Sequence, residues 1–120
     1  MSEIKFNSQV YTSRSQSERL LALGLKKETA DFPVWGTEGL LYMAWSLHRL
    51  IEMMPITLIE DKVYHERWEL NITPIWVIYR NQDMADEWIG ECLGQGMYNN
   101  IIDCIEWLIK EGYFPNEYLV

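Results

Sequence analysis

The first helical pattern in the chain lies around residue 20. Ser15 stands three residues before Glu18, which is the spacing of a capping box in which each side chain accepts the other's backbone N–H. Leucines follow at 20, 21 and 23, and Gly24 is typical of a left-handed helix end. The pattern therefore predicts a short helix between Ser15 and Gly24. Residues 1–14 lack a helical period, and we expect them to form an arm or an edge strand.

The second helical pattern is WSLHRLIEMMP, residues 45–55. Ser46 is the predicted N-cap, and Trp45 before it can pack on Leu50 as a hydrophobic staple. The apolar positions recur at helical spacing, and they are Leu47, Leu50, Ile51 and Met54. Pro55 ends the helix.

The stretch between these two helices is less regular. Residues 26–36 have the composition of turns, and Pro33 disfavours a helix at Phe32. An alternative version of the second helix starts at Thr37 and runs through residues 39–44. We favour the shorter helix that follows Trp45.

After Pro55 the pattern changes to short runs rich in β-branched and aromatic residues, at 56–60, 63–70 and 75–80. In the second run Tyr64, Trp68 and Leu70 share one face. Polar residues His65, Arg67 and Glu69 share the other, which indicates a half-buried strand. The third run is apolar on both faces and is predicted to be central. The short connections favour a three-stranded antiparallel meander.

The last third of the chain contains one ambiguous segment and one clear helix. Residues 81–98 fit either a short acidic helix or a bent edge strand between Gly90, Gly94 and Gly96. The closing helix has Asn100 as its predicted cap, Asp103 in its first turn and Lys110 in its last. Its predicted buried stripe is Ile101, Ile105, Leu108 and Ile109, Glu106 pairs with Lys110, and Gly112 ends the helix.

This order of elements predicts an α+β fold. A small antiparallel sheet of three or four strands would carry two or three helices packed on one face. The chain has 120 residues, 48% of them hydrophobic, and no repeat or linker divides it. We therefore expect residues 1–120 to form a single α+β domain.

The charge of the chain excludes two classes of function. The formal net charge is −8, which argues against direct binding of nucleic acid phosphates and against adsorption to an anionic membrane. The longest apolar runs, near 39–45 and 75–79, are shorter than a membrane span. The first residues lack the apolar stretch of a secretory signal, so the expected location is the cytoplasm, with reduced cysteines.

The negative charge is concentrated in the second half. Residues 1–60 hold seven acids and six bases, and residues 61–120 hold eleven acids and four bases. Most of the excess lies in residues 81–111, where seven acids are accompanied by Lys110 alone. A surface of this kind favours basic partners, although it also serves solubility.

No residue pattern predicts a catalytic, metal or cofactor site. His48, His65, Cys92 and Cys104 lack the close pairing of a structural zinc site. Both cysteines are interpreted as structural, since Cys104 lies among apolar helix positions and Glu91 opposes a thiolate at Cys92. The remaining enzyme alternative, a small hydrolase, would use His65 with Glu69 or another carboxylate.

Six tryptophans are many for this length, and two of them suggest a binding surface. Trp68, Trp76 and Trp107 occupy core-compatible positions, whereas Trp35 and Trp88 lie in polar, irregular segments. Exposed tryptophan beside acid is typical of protein-interaction surfaces. The predicted interaction residues are Trp35, Asp83, Asp86, Glu87, Trp88 and Glu91.

Three segments carry a resemblance to a known family. They are ERLLALGLKKETADF (18–32), WSLHRLIEMMP (45–55) and DCIEWLIKEGYF (103–114), about a third of the chain. The sequence resembles a family of small uncharacterised proteins encoded in prophages and mobile elements of gut bacteria. It departs from them at Met43, where relatives often carry Pro, and in the short stretch between Trp35 and Trp45. The shared motifs are caps, stops and core stripes, so the resemblance implies a shared fold and transfers no catalytic residue.

The function expected from the sequence is therefore that of a non-enzymatic accessory or protein-interaction protein of a phage or mobile element. Its partner would be a protein, favoured to be basic, and a homodimer is an open alternative. A second alternative is an acidic DNA-mimic inhibitor of a host nucleic-acid enzyme, which the charge of residues 81–111 permits.

Overall fold

The computed structural model describes residues 4, 6, 8–59, 66–84 and 86–120. Its helices are α1 (Arg14–Ala22), α2 (Leu47–Met53) and α3 (Met97–Glu111). Its strands are β1 (Phe32–Gly36), β2 (Gly39–Ala44), β3 (Thr57–Ile59), β4 (Arg67–Ile72), β5 (Trp76–Asn81) and β6 (Trp88–Leu93). Two 3-10 turns, Lys27–Thr29 and Asn116–Tyr118, complete the order. The predicted α+β class is confirmed.

The main sheet is an antiparallel meander in the order β3-β4-β5-β6. Trp68 pairs with Asn81 and Leu70 with Tyr79, so β4 and β5 are neighbours along their whole length. The predicted central position of β5 is confirmed. The ambiguous segment 81–98 contains an edge strand, β6, and the pairing of β5 with β6 shifts register between Val77 and Tyr79.

A second sheet, the hairpin of β1 and β2, replaces the turn expected at residues 32–36 and contradicts the alternative helix that starts at Thr37, whereas the favoured shorter helix after Trp45 is confirmed as α2. Gly36 pairs with Gly39, which leaves the two residues between them as the turn. Gly39, directly after the turn, has φ +123°, a conformation that L side chains rarely adopt, which explains the glycine at this position. Pro33 is tolerated because a two-stranded sheet consists only of edge strands, where a missing N–H costs little. The apolar run 39–44 is therefore a strand and not a helix.

The start of α1 differs from the predicted capping box. Ser13, not Ser15, is the N-cap, and its side chain accepts the backbone N–H of Gln16. The Gln16 side chain accepts the N–H of Ser13 in return. The same motif thus occurs two residues earlier, because glutamine serves at its third helical position as well as glutamate. The predicted end is confirmed, since Gly24 has φ +104° and the Leu25 N–H returns to the Leu20 carbonyl.

The cap of α2 is confirmed, whereas the predicted cap of α3 is wrong. The Ser46 side chain accepts the N–H of Arg49. In contrast, α3 begins one turn before its predicted cap, with Gly96 in the N-cap position and no side-chain cap. Asn100 lies inside the helix, fully buried, where its carbonyl accepts the Gln95 N–H at 3.1 Å. Its polar side chain closes the loop before the helix, which explains why it resembles a cap.

The core lies between the main sheet and the helices. α3 packs across β5 and β6, and α1 and α2 pack against α3. The largest fully buried side chains include Trp45, Tyr79, Leu20, Leu50, Ile101, Ile105 and Leu108. Burying each aliphatic side chain of this size stabilises the fold by roughly 1.5–3 kcal/mol. The Trp45 indole N–H donates to the Thr29 hydroxyl at 2.9 Å, so its burial leaves no unpaired donor. The opposite face of the main sheet carries no helix of the described residues.

Candidate functional site

The uncovered side of the main sheet presents a row of large side chains on β5 and β6. Trp76, Ile78 and Arg80 alternate along β5 with the buried residues Val77 and Tyr79. The strand register places Trp88 of β6 opposite Arg80 and Leu93 opposite Trp76. We use the name outer face for the surface formed by Trp76, Ile78, Arg80, Trp88 and Glu91.

A pocket of about 160 Å³ lies within the outer face and is lined by these five residues. Ile78 is 3% exposed although it points away from the helices, because its neighbours on the outer face cover it. Trp88 is 44% exposed. The pocket therefore combines a small apolar cavity with an indole that remains open to solvent.

Hydrogen bonds orient the two indoles of the outer face. The Trp88 indole N–H donates to the Glu91 carboxylate at 3.0 Å, and the Trp76 indole N–H donates to the Asn71 side-chain oxygen at 2.9 Å. The Arg80 guanidinium lies 6.0 Å from the centre of the Trp88 ring, at the limit of a cation–π contact. These contacts hold the two indole rings in place and so determine which part of the pocket is apolar.

Arg80 is incompletely satisfied. Its Nε atom is buried and has no hydrogen-bond partner within the described part of the chain. A buried donor without an acceptor costs about 1–3 kcal/mol. Trp68 on the other side of the sheet also has a buried indole N–H without an acceptor.

The turn that leads into β6 is acidic. We use the name acidic turn for Asp83, Asp86 and Glu87, all of which are exposed. The Asn81 side-chain oxygen shapes the turn by accepting the N–H groups of Asp83 and Met84 at 2.9 and 3.0 Å. The ion pairs of the described residues include none of the three carboxylates. Their negative charge is therefore available to a partner.

The structure places five of the six predicted interaction residues in one segment, from Asp83 to Glu91, and separates the sixth. Trp35 is 67% exposed, as the sequence predicts, but it belongs to β1 of the other sheet. Its pairing neighbour is Leu40, another exposed apolar residue. The single interaction surface expected from the sequence is thus divided between two sheets.

The sequence pattern did not indicate that two residues, Trp76 and Arg80, belong to a binding surface. The pattern assigned Trp76 to the core and gave Arg80 no role. The available signal was the alternation of Trp76, Ile78 and Arg80, which is an apolar face ending in a charge. This alternation was hard to recognise because the positions between them, Val77 and Tyr79, are apolar too.

Two of the three acidic residues of α3, Asp103 and Glu106, are paired with cations in the helical layer. The Arg19 guanidinium on α1 donates to Glu106 and to Asp103, both at 2.7 Å, and Lys110 lies 3.1 Å from Glu106. The predicted pair of Glu106 with Lys110 is confirmed. The hydrogen bonds from Arg19 and then Lys110 lower the pKa of Glu106, and the bond to Glu106 raises that of Arg19. The excess charge of residues 81–111 therefore does not form one surface.

The described histidine and cysteines are not grouped to bind a metal ion. His48 is exposed on α2, 3.6 Å from Glu52, and His65 lies outside the described residues. Across the described ranges, no group of three or more His, Cys, Asp or Glu side chains is placed to hold a metal ion. The enzyme alternative that uses His65 stays a prediction.

A larger pocket of about 390 Å³ lies where residues 8–9 pass the start of α3. Its polar groups are amides and hydroxyls, chiefly from Gln9, Gln16, Gln95 and Asn99. Among the described residues, its lining includes no carboxylate, histidine, cysteine or lysine. The smaller pocket of the outer face has the more distinctive groups.

Comparison with known proteins does not assign the chain to a family. No protein-family model, curated protein or solved structure matches the chain. The resemblance to phage-encoded proteins thus stays a prediction from the sequence. In the described parts of the chain, no helix is long and apolar enough to cross a bilayer. The fold and the site define a small α+β protein with an uncovered aromatic sheet face beside an acidic turn.

Proposed function

We propose that this protein is a non-enzymatic accessory protein of a phage or mobile element that binds a basic segment of a partner protein through its outer face. The observation that carries the proposal is the pocket between Trp76 and Trp88, on the side of the sheet without a described helix. Tryptophans in small desolvated pockets are typical hot spots of protein interfaces. The phage or mobile-element origin rests on the resemblance described above.

Charge complementarity supports a basic partner. The acidic turn is exposed and lacks cationic partners among the described residues, and it leads directly into the strand that carries Trp88 and Glu91. Net charge of −8 on a chain of this size attracts a positively charged segment over several ångströms and increases its association rate. We therefore expect lysine or arginine residues of the partner to contact the acidic turn.

The pocket itself favours an apolar side chain. Three of its five lining residues, Trp76, Ile78 and Trp88, are apolar. Its volume of about 160 Å³ is suited to one aliphatic or aromatic side chain. Arg80 lines the pocket, so its guanidinium offers N–H donors to a backbone carbonyl of an extended segment. The proposed ligand is therefore an extended segment with one apolar side chain flanked by lysine or arginine.

The same geometry makes the DNA-mimic alternative weaker. A mimic needs a continuous row of unpaired acids, whereas Asp103 and Glu106 are paired with Arg19 in the helical layer. The remaining acids near the outer face are the acidic turn, Glu91, and Glu69 of β4, which pairs opposite Arg80. We keep protein binding as the proposed function for this reason.

The experiment is selection of binding peptides from a random displayed library, followed by affinity measurement with the purified protein. We expect the enriched peptides to share an apolar residue flanked by lysine or arginine. The variants Trp88→Ala and the double change Asp83→Lys with Glu87→Lys should each weaken binding roughly tenfold or more, about 1.4 kcal/mol. Far-UV circular dichroism checks that both variants keep their fold.

Matched controls lie on the other sheet. Trp35→Ala removes a tryptophan that is more exposed than Trp88, and Glu38→Lys reverses an exposed charge in the hairpin turn. Both should bind the peptides as the unchanged protein does. Enrichment of acidic peptides, binding lost with Trp35→Ala instead of Trp88→Ala, or self-association through the outer face would each overturn the proposal.

A further inference from the structure

The two cysteines of this chain, twelve positions apart, meet between the sheet and the helical layer. Cys92 lies on the edge strand β6 and Cys104 on α3, which packs across that strand. The chain contains no other cysteine. Cys104 is completely buried, whereas Cys92 is partly exposed and packs against the core from its edge. Gly90, two residues before Cys92, lies against the ring of Trp107, which is three residues after Cys104, so both cysteines face this interface.

The contacts make the two thiols chemically unequal. The Cys92 thiol donates to the Gly90 carbonyl with a sulfur–oxygen distance of 3.5 Å. Interaction with the Cys104 thiol lowers the pKa of Cys92, and the same interaction, together with burial, raises the pKa of Cys104. Thiolate character is therefore favoured on the more accessible sulfur.

We infer that Cys92 and Cys104 form a reversible intramolecular disulfide, with Cys92 as the reacting thiol and Cys104 as the resolving thiol. The inference does not depend on the proposed function. It rests on the pairing of the only two thiols across a packed interface, with one of them reachable from solvent and the other not.

The oxidant is a low-molecular-weight disulfide such as oxidised glutathione. The Cys92 thiolate attacks one sulfur of that disulfide, the sulfur–sulfur bond breaks, and one glutathione thiolate leaves and takes up a proton. The Cys104 thiol then loses its proton and attacks the Cys92 sulfur, which expels the second glutathione. Overall, two protein thiols and one oxidised glutathione give one protein disulfide and two reduced glutathiones.

The test is incubation of the purified protein with oxidised glutathione, followed by maleimide labelling under denaturing conditions and intact-mass measurement. We expect loss of both reactive thiols, a mass lower by two hydrogens, and recovery of both thiols with a reducing agent. Peptide mapping should locate the bond between residues 92 and 104.

Two variants separate the roles. Cys104→Ala should stop at a stable mixed disulfide between Cys92 and glutathione, whereas Cys92→Ser should remain unmodified because Cys104 is buried. Circular dichroism shows whether each variant is folded. If one variant is unfolded, the measurement on the unchanged protein still tests the inference. A mixed disulfide as the end product of the unchanged protein, an intermolecular disulfide, or two thiols that persist through the incubation would overturn the inference.

Discussion

Gly90 of β6 lies so close to the indole of Trp107 on α3 that a Cβ at position 90 would stand 2.8 Å from two of the ring carbons. Gly90 also has φ +65°, in the left-handed region. Both requirements are met only by glycine. The contact sets how closely the edge strand of the main sheet approaches the helical layer.

The substitution Gly90→Ala should therefore be strongly destabilising. The new methyl group overlaps a rigid ring and the backbone is strained, which together lower the free energy of unfolding by about 2–4 kcal/mol. Urea denaturation followed by tryptophan fluorescence measures the change. Gly94→Ala is the matched control, because Gly94 has φ +82° but an added Cβ meets nothing within 4 Å. It should cost about 1–2 kcal/mol. Equal losses would contradict the importance of the contact with Trp107.

The cap of α1 gives a second prediction. Ser13→Ala should lower the free energy of unfolding by about 1 kcal/mol, because it removes the acceptor for the Gln16 N–H. Ser15→Ala changes a residue of the same type two positions later, and its side chain caps no backbone group, so its effect should stay near zero. Thermal or urea unfolding of both variants distinguishes the observed cap from the one that the sequence indicates. The reverse order of effects would show that Ser15 is the cap.

The sequence predicted the elements whose signals are local. The ends of α1 and α3 at Gly24 and Gly112, the cap of α2 at Ser46 and the meander of β3 to β5 all follow from residues close to one another in the chain. The two wrong caps show the limit of this reasoning. Several polar residues near each start can serve as the cap, and tertiary packing selects among them.

The hairpin of β1 and β2 and the composition of the outer face required information that lies farther away in the chain. An apolar run such as 39–44 fits a helix or a strand until its partner is known, and here the partner strand includes Pro33. Trp76 looks like a core residue because only the placement of the helices decides which face of β5 is covered. The approach of Cys92 to Cys104 likewise depends on how α3 crosses β6.

The ion pairs of Arg19 give a third prediction. Arg19→Met should lower the free energy of unfolding by about 1 kcal/mol, because it breaks the link from α1 to Asp103 and Glu106 of α3 while keeping most of the apolar stem. The loss should shrink at roughly 1 M salt, which screens partly exposed charges. Arg14→Met is the control, since Arg14 pairs at 3.6 Å with Glu18 and both side chains are mostly exposed. A loss for Arg19→Met that does not change with salt would point to packing instead of charge.

Asp31 predicts a pH dependence of stability. Burial opposes its ionisation, but hydrogen bonds from the Ser46 hydroxyl and N–H, at 2.6 and 2.8 Å, outweigh it and lower the pKa below the ordinary 3.8. A carboxylate with a lowered pKa in the folded state stabilises that state above its unfolded pKa, and the contribution is lost as the pH falls through the folded value. Stability should therefore fall with decreasing pH below about 4.

The comparison of Asp31→Asn with the unchanged protein isolates this contribution. At neutral pH the variant should be less stable by about 1 kcal/mol, since Asp31 is exposed and solvent screens part of the interaction. The difference should narrow as the pH is lowered from about 4 towards 2, where the native carboxyl becomes protonated. Unfolding curves at a series of pH values provide the measurement, and a constant difference would contradict the assignment.

Contacts between the region of α1 and residues far along the chain also affect how fast the molecule can fold. The side chains of Arg19 and Gln16 on α1 donate hydrogen bonds to Glu106 and Asn99. After the helix, the Lys26 N–H donates to the Tyr118 carbonyl. Each contact closes a loop of more than eighty residues, and the entropy of that closure is lost before the contact stabilises the chain. The meander and the β1–β2 hairpin need only short loops, so they can assemble first. Docking of α1 then becomes the late step, and we expect folding in about milliseconds to seconds instead of the microseconds typical of local helical bundles.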